Sequence, residues 1–407
     1  MKRGSKLVFA TLIVPALLLA QTQSNGQPAQ SQPNDNKPAY AQPADASGPD
    51  AKTSAATPQV ADKPATSPAA AAEKPKPKAP VPYPIMSTAA KNRARQLYDY
   101  FLHGQHAQLY ASYSPGMRNS STQARLTTVS KQVTAKLGTP GELLSENFLP
   151  SLTQPITVYT RVTKYSKSKE PVFSILAVNE QGELDTLQIA PVLEPPKDEY
   201  VDYQDKVKLR LPFDGTWMVS QGGRKVSENA YAGSEDDRYA VSFMFLKDGR
   251  PFENDGKKNE DFYCWGQPVL APAAGTVVQI VGNAPDHAPG NPPETVSRGN
   301  YVVIAHGNSE FSLVPYLKAG SIKVRNGRRV KEGDKIGECG NSGSSTAPHI
   351  AYRLQNTRGF PLPKSLPAQF VDYAADGKEV ASGEPVRGQT VANKEKAPAV
   401  ETAAKPQ

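Results

Sequence analysis

Apolar positions along the chain fall into two patterned regions, between flanks that carry almost none. At the start of the first, "STAAKNRARQLYDYFLHGQ" spaces Ala94, Leu97, Tyr98 and Phe101 three and four residues apart. That spacing predicts one helical face, and the following "HG" reads as a stop. A second helical stretch, "SSTQARLTTVSKQVTAKLG", runs to Gly138. The pattern then changes to "PITVYTRVTKYS", "EPVFSILAVN" and "LDTLQIAPV", which read as strands, with "NEQGEL" as a hairpin turn. Helices followed by a meander predict an α+β unit over 88–195. The second region, 200–375, is a series of short strands between glycine turns: "GTVVQIVG", "NYVVIAHG", "EFSLVPYL", "IKVRNG", "DKIGECG" and "HIAYRL". None of its segments is a helix long enough to connect a parallel sheet, so a mainly-β sandwich or split barrel is expected.

The flanks change the picture from fold to location. Residues 1–20, "MKRGSKLVFATLIVPALLLA", place Lys2, Arg3 and Lys6 before a short apolar run. The run is shorter than the roughly 20 residues of a membrane span and reads as a secretory signal. An uncleaved anchor is the other reading, and only then would the chain contact a membrane. Residues 21–87 are rich in Ala, Pro, Gln, Lys and Ser, as in "AAAAEKPKPKAPVPYP". Such a segment buries too little surface to offset its ordering entropy and is expected to be a disordered tether. The tail 376–407 reads the same way.

Charge and cysteine content narrow the function. The 407 residues carry a net charge of +8, which falls to +5 without Lys2, Arg3 and Lys6 (8 − 3). A mildly basic exported chain suits an anionic envelope. No basic helix or aromatic-basic platform points to nucleic acid. Cys264 and Cys339 are the chain's two cysteines. In an exported protein they read as one disulfide; two buried thiols or a metal pair are the alternatives, and no CxxC spacing favours metal.

The glycine-rich motifs of the second region carry a resemblance. "WGQPVLAPAAGTVVQI", "RGNYVVIAHGNSEFSLVPYLKAGSIKV" and "GRRVKEGDKIGECGNSGSSTAPHI" are similar to the lysostaphin/LytM-type zinc endopeptidases, peptidase family M23. The resemblance covers about 211–358 and implies the duplicated hybrid motif fold. It also implies cleavage of peptide cross-links in bacterial cell wall by a zinc ion on a His, an Asp and the second His of an HxH pair. Two further histidines would assist. Zinc in such a site lowers the pKa of a bound water toward about 7. The 88–195 unit resembles, in the order of its elements, the cystatin-like cone of nuclear-transport-factor-two-like domains found beside bacterial hydrolases.

Carried over position by position, the resemblance points to a degenerate member. "RYAVSF" places Ser242 at the Asp position, and "ENAYAG" places Tyr231, within two residues, at the first His. "LVPYLKAGSI" puts Tyr316 where an assisting His belongs. In "PHIAY", His349 matches the first His of the pair and Ala351 replaces the ligand. No cofactor is therefore expected. Asp286 and His287, in a Pro/Gly loop, are a distant alternative donor pair. His306 is expected in a turn or core role, and His103 and His106 in a solvated helix end.

Three functions remain open on these grounds. One is a non-catalytic module that holds peptidoglycan or a cell-wall hydrolase in the old groove, with Tyr231, Tyr316 and Tyr352 as an aromatic floor around His349. The second is an active zinc metalloendopeptidase with a rearranged site. The third puts the function in the 88–195 unit, as a ligand-binding or dimerising domain. The location expected for all three is the periplasm or cell envelope.

Overall fold

The structure, a computed structural model, describes residues 84–394 except 193, 295–296 and 360–362. The signal-like segment and nearly all of the Ala/Pro-rich stretch lie outside the described residues.

The first unit opens with α1 (Thr88–Leu102), α2 (His106–Ala111), α3 (Pro115–Ser120) and α4 (Gln123–Leu137). Ser87 begins α1 by accepting a hydrogen bond from the Ala90 N–H, and Gly104, at φ +67°, follows its end. Ile85 is also buried, so the folded unit begins three residues before the expected start at 88. The predicted face, Ala94, Leu97, Tyr98 and Phe101, is buried in a cluster with Leu109, Tyr113 and Tyr159. Four antiparallel strands follow in sequential order: β1 (Pro140–Pro150), β2 (Ile156–Tyr165), β3 (Val172–Asn179) and β4 (Leu184–Pro191). β1 was absent from the sequence reading. It is an edge strand, and its first five residues are exposed, so it carries no apolar alternation. His103 is exposed, with Nδ1 against the Asp99 carbonyl.

The second unit is mainly β. In chain order it contains β5 (Thr216–Gln221), β6 (Val241–Met244), β7 (Pro268–Leu270), β8 (Gly275–Val281), β9 (Asn300–Gly307) and β10 (Glu310–Leu317). Then come β11 (Arg329–Val330), β12 (Lys335–Glu338), β13 (Ile350–Gln355), β14 (Ser365–Leu366), β15 (Phe370–Ala375), β16 (Lys378–Gly383) and β17 (Thr390–Asn393). One large sheet runs β11-β8-β9-β10-β13-β6-β5-β17-β15-β16, with β14 on β13, and β12 pairs β7 separately. Val330 and Val277 near one end of this order share a single core cluster with Tyr373 and Val391 near the other. The sheet therefore wraps around one core instead of forming two equal sheets.

Two expectations are corrected here. Residues 376–394 are not a disordered tail: β16 pairs β15, and β17 fills the gap between β15 and β5. Val391 is fully buried against this sheet, and the Asn393 side chain accepts from the Leu211 N–H and donates to the Phe213 carbonyl. A polar segment can become a strand when an existing sheet edge supplies the hydrogen-bond partners, because the backbone then contributes what the side chains do not. "IKVRNG" is the reverse case: residues 321–326 pair with no strand, Gly327 gives β8 a single bond at Val277, and the pairing proper falls at Arg329 and Val330.

The segment that joins the two units is strapped onto the β domain. Glu310 is fully buried and accepts from the Tyr203 hydroxyl (2.9 Å), the Lys206 N–H (2.6 Å) and the Val207 N–H (2.9 Å). The Asp205 N–H donates to Gln369 Oε1, and the Gln369 N–H donates back to Asp205 Oδ2. Burial pushes the Asp205 carboxyl up to about 7, opposed by the Gln369 N–H and helped by Glu310 and Glu384. A raised carboxyl binds its proton more tightly in the folded state. Its stabilising contribution is full below the ordinary value of 3.8 and is lost as pH climbs through about 7. Asp205→Asn, which keeps the amide-like pairing, is thus expected to lose less thermal stability between pH 5 and pH 8 than the parent. Parallel melting curves at the two pH values check this; equal losses would show that Asp205 does not titrate in that window.

Candidate functional site

Strand pairing brings the sequence-predicted positions together. β13 pairs β6 with Ala351 directly opposite Ser242, so the two side chains share one face of the sheet. Tyr231 lies in a short 3-10 turn (Ala230–Gly233) and puts its hydroxyl 3.4 Å from Ser242 Oγ. His349 precedes β13 by one residue and has the same parity as Ala351. A register shift in β10 between Val314 and Leu317 re-aims Tyr316. Tyr316 sits at φ +65° with its ring centroid 5.5 Å from that of His349.

Asn229 is capped into the structure instead. Its Oδ1 accepts from the Tyr231 N–H, and its Nδ2 donates to the Gly223 and Ala240 carbonyls. This fixes the register of "ENAYAG" with Tyr231, not Asn229, against Ser242.

The protonation states follow from burial. His349 is 2% exposed, and its Nδ1 lies 2.8 Å from the Ala347 carbonyl. A carbonyl only accepts, so Nδ1 carries the proton. Burial depresses the ring's pKa despite that bond, which leaves a neutral imidazole. Nε2 then presents a lone pair and has no hydrogen-bond partner. Burial raises the phenols of both Tyr231 and Tyr316 above their ordinary value, with Tyr316 adding to the rise at Tyr231. Beside them Asp237 accepts from Arg353 Nη1 at 2.5 Å and pairs with Arg298 at 3.2 Å. Burial alone would raise Asp237; the two guanidiniums outweigh it and hold the carboxyl below the usual range. Asp237, Arg298 and Arg353 were missed in the sequence. The alternation in "HIAYRL" puts position 353 on the face of 349 and 351, but it gives no sign of Asp237 or Arg298.

Tyr352 is corrected for the same reason. It points to the opposite face, is 1% exposed, packs on Phe370 and bonds to Ser312. It is core and forms no part of the groove. His306 also takes a structural role, with Nδ1 on the Ala274 carbonyl and Nε2 on Ser312 Oγ. Asp286 clamps the backbone N–H groups of Ala319 and Asn341, and His287 Nε2 lies 2.9 Å from the Gly343 carbonyl. Both are committed to holding their loop. Cys264 and Cys339 form a disulfide with Cα atoms 5.9 Å apart.

A mainly-β domain with this motif order and this groove defines a peptidase-like fold. Residues 257–362 form a Peptidase family M23 domain of the LytM/lysostaphin type. The peptidoglycan DD-endopeptidase ShyA of Vibrio cholerae is 34% identical over 120 residues, 25% of this chain and 27% of that protein. An uncharacterized metalloprotease of Haemophilus influenzae is 36% identical over 104 residues, 25% of this chain and 19% of that one. The matched stretch thus spans about a quarter of these relatives. Among solved structures, a zinc containing peptidase from Vibrio cholerae is 17% identical with a TM-score of 0.25, covering 63% of this chain and 67% of its own. Among the described residues no helix is long and apolar enough to cross a membrane.

Proposed function

We propose that this chain is an exported cell-envelope protein whose M23 domain has lost its zinc site and binds peptidoglycan or a cell-wall hydrolase. The observation that carries the reading is the convergence of Tyr231, Ser242 and Ala351 on one face beside His349. That set does not suit zinc. Ala351 offers no donor atom, and a serine hydroxyl is a neutral, poor ligand. The two phenols, raised by burial, stay protonated at neutral pH. Within that set only His349 Nε2 remains as a donor of ordinary zinc character, the nearby Asp237 carboxylate is held by Arg298 and Arg353, and structural zinc sites draw their about 10–16 kcal/mol from a full ligand set. Among the described residues no three His, Cys, Asp or Glu side chains gather into a metal-holding group.

What remains suits peptide. Two phenols and a serine hydroxyl offer donors and acceptors, Nε2 offers an acceptor, and the tyrosine rings offer apolar contact. The name of the relative ShyA, a peptidoglycan DD-endopeptidase, supports wall peptide as the ligand class. The disulfide supports an oxidising compartment. The test is metal content by mass spectrometry after zinc exposure of the purified chain, beside a wall-digestion assay and sedimentation with insoluble peptidoglycan. Substoichiometric zinc, no digestion and co-sedimentation are expected. Near one zinc per chain, removed by chelator together with digestion, would refute the reading.

A dimerising role for the cone-like 88–195 unit is the second reading. Leu143 and Leu144, 43% and 41% exposed, lie together on the edge strand β1 and support it. Light scattering across a concentration series tests it: a monomer throughout, or a dimer unchanged by Leu143→Lys, would remove it.

A further inference from the structure

The outer edge of β8 is open over its second half. On its inner side β8 pairs β9 as far as Val281. On its outer side β11 pairs only Gly275 and Thr276, and two bonds at Val277, to Arg328 and from Gly327, end the ladder. Beyond Val277 no described residue bonds to this edge through the backbone. The unpaired stretch 321–325 runs nearby, and between the two lies a groove of about 450 Å³ lined by Ile280, Val281, Ile322 and Val324. Ile280, Ile322 and Val324 pack down onto the main core, and Val281 remains 37% exposed.

The rim of this groove is basic. Lys323, Arg325, Arg328 and Arg329 are all exposed. Over 318–335 there are seven Lys and Arg against Glu332 and Asp334, a net +5 (7 − 2). Cations on an open strand edge guard against self-pairing. That role accounts for the charge, but it does not account for an apolar groove running beside the free edge.

We propose that the groove receives an extended acidic segment of a partner polypeptide, added as a strand along 278–281. Its alternate apolar side chains would enter the groove, and its carboxylates would meet Lys323, Arg325, Arg328 and Arg329. Strand addition draws affinity from main-chain bonds and specificity from alternate side chains, and both halves of that arrangement are present. The chain's own segments lack the charge: residues 21–83 hold six lysines against five acids, and 395–407 two against two. A second copy would bring the same cations to the same edge. This inference is independent of the groove at Tyr231 and His349.

The test uses the full chain and a fluorescein-labelled decapeptide of alternating Glu and Val, read by anisotropy. Two controls accompany it: a peptide of the same composition in scrambled, non-alternating order, and long-chain polyphosphate. The alternating peptide is expected to bind at least tenfold tighter than the scrambled one. Val281→Asp, at an exposed position, and separately the pair Arg325→Glu and Arg329→Glu, should each weaken it at least tenfold while circular dichroism stays unchanged. Absence of binding would overturn the proposal. So would equal binding of both peptides, or competition by polyphosphate with Val281→Asp inert, since either describes a plain polyanion surface.

Discussion

Combining Tyr231→His, Ser242→Asp, Tyr316→His and Ala351→His is expected to give the chain a stoichiometric zinc site, against no stoichiometric zinc expected for the parent. The geometry behind this is specific. Ala351 and Ser242 are direct cross-strand partners, and the Tyr231 hydroxyl is 3.4 Å from Ser242 Oγ. An imidazole at 351, a carboxylate at 242 and an imidazole at 231 would therefore face one point, with His349 beside it. At 316 the backbone is left-handed, φ +65°, a region in which His is found more readily than most residues. Exchanging two buried phenols for smaller rings leaves voids, so the metal-free variant should be less stable by roughly 1–3 kcal/mol. Bound zinc should recover that loss by mass action. Hydrolysis is not expected to follow in step, because catalysis needs placement within about 0.5 Å and each new ligand needs a supporting hydrogen bond of its own. Calorimetric titration with zinc checks the site, and a melting curve with and without the metal checks the linkage. A folded variant that takes up no zinc would mean that the strands have moved apart. Asn229→His, in place of the change at Tyr231, should fail and destabilise, since Asn229 Nδ2 serves two backbone carbonyls.

Features that depend on a side chain's own character were legible, and those that depend on a partner were not. Ala94, Leu97, Tyr98 and Phe101 declare a helical face because all four are apolar and buried. Tyr231, Ser242, Tyr316 and Ala351 were found through motif order, and strand pairing then set their geometry. β1 and β16 escaped because much of each strand is exposed and shows no apolar alternation, and a neighbouring strand holds it by backbone bonds. "IKVRNG" misled for the mirror reason: its alternation is strand-like, yet only its last residue, Gly327, bonds to a strand. Tyr352 was placed in the groove by its chemistry, although parity with Ala351 sends it to the other face. The charge cluster of Asp237, Arg298 and Arg353 spans three distant segments, so no local pattern could announce it.

Opening the Cys264–Cys339 bridge is expected to lower stability by several kcal/mol. The two cysteines are 75 residues apart, and closing a loop of that length removes about 4–5 kcal/mol of unfolded-chain entropy in the chain-entropy model. Against a typical domain stability of about 5–15 kcal/mol that is a large fraction. The Gly266 N–H donates to the Cys339 carbonyl at 3.0 Å and the Cys339 N–H to the Gln267 carbonyl at 2.9 Å, so backbone bonds already hold the two segments together. Both cysteines are almost fully buried in the main core, so their replacement should also cost packing. The effect should reach the groove, because Gly340, next to Cys339, is bridged to His349. Urea unfolding of the parent, with and without reductant, and of Cys264→Ala with Cys339→Ala, measures the loss. Reduced parent and double variant should both unfold at lower urea. Their transition should also be steeper, because an unfolded chain without the cross-link exposes more surface. Coincident curves for the oxidised and reduced protein, or two free thiols in the denatured, unreduced chain, would rule the bridge out as a stabilising element.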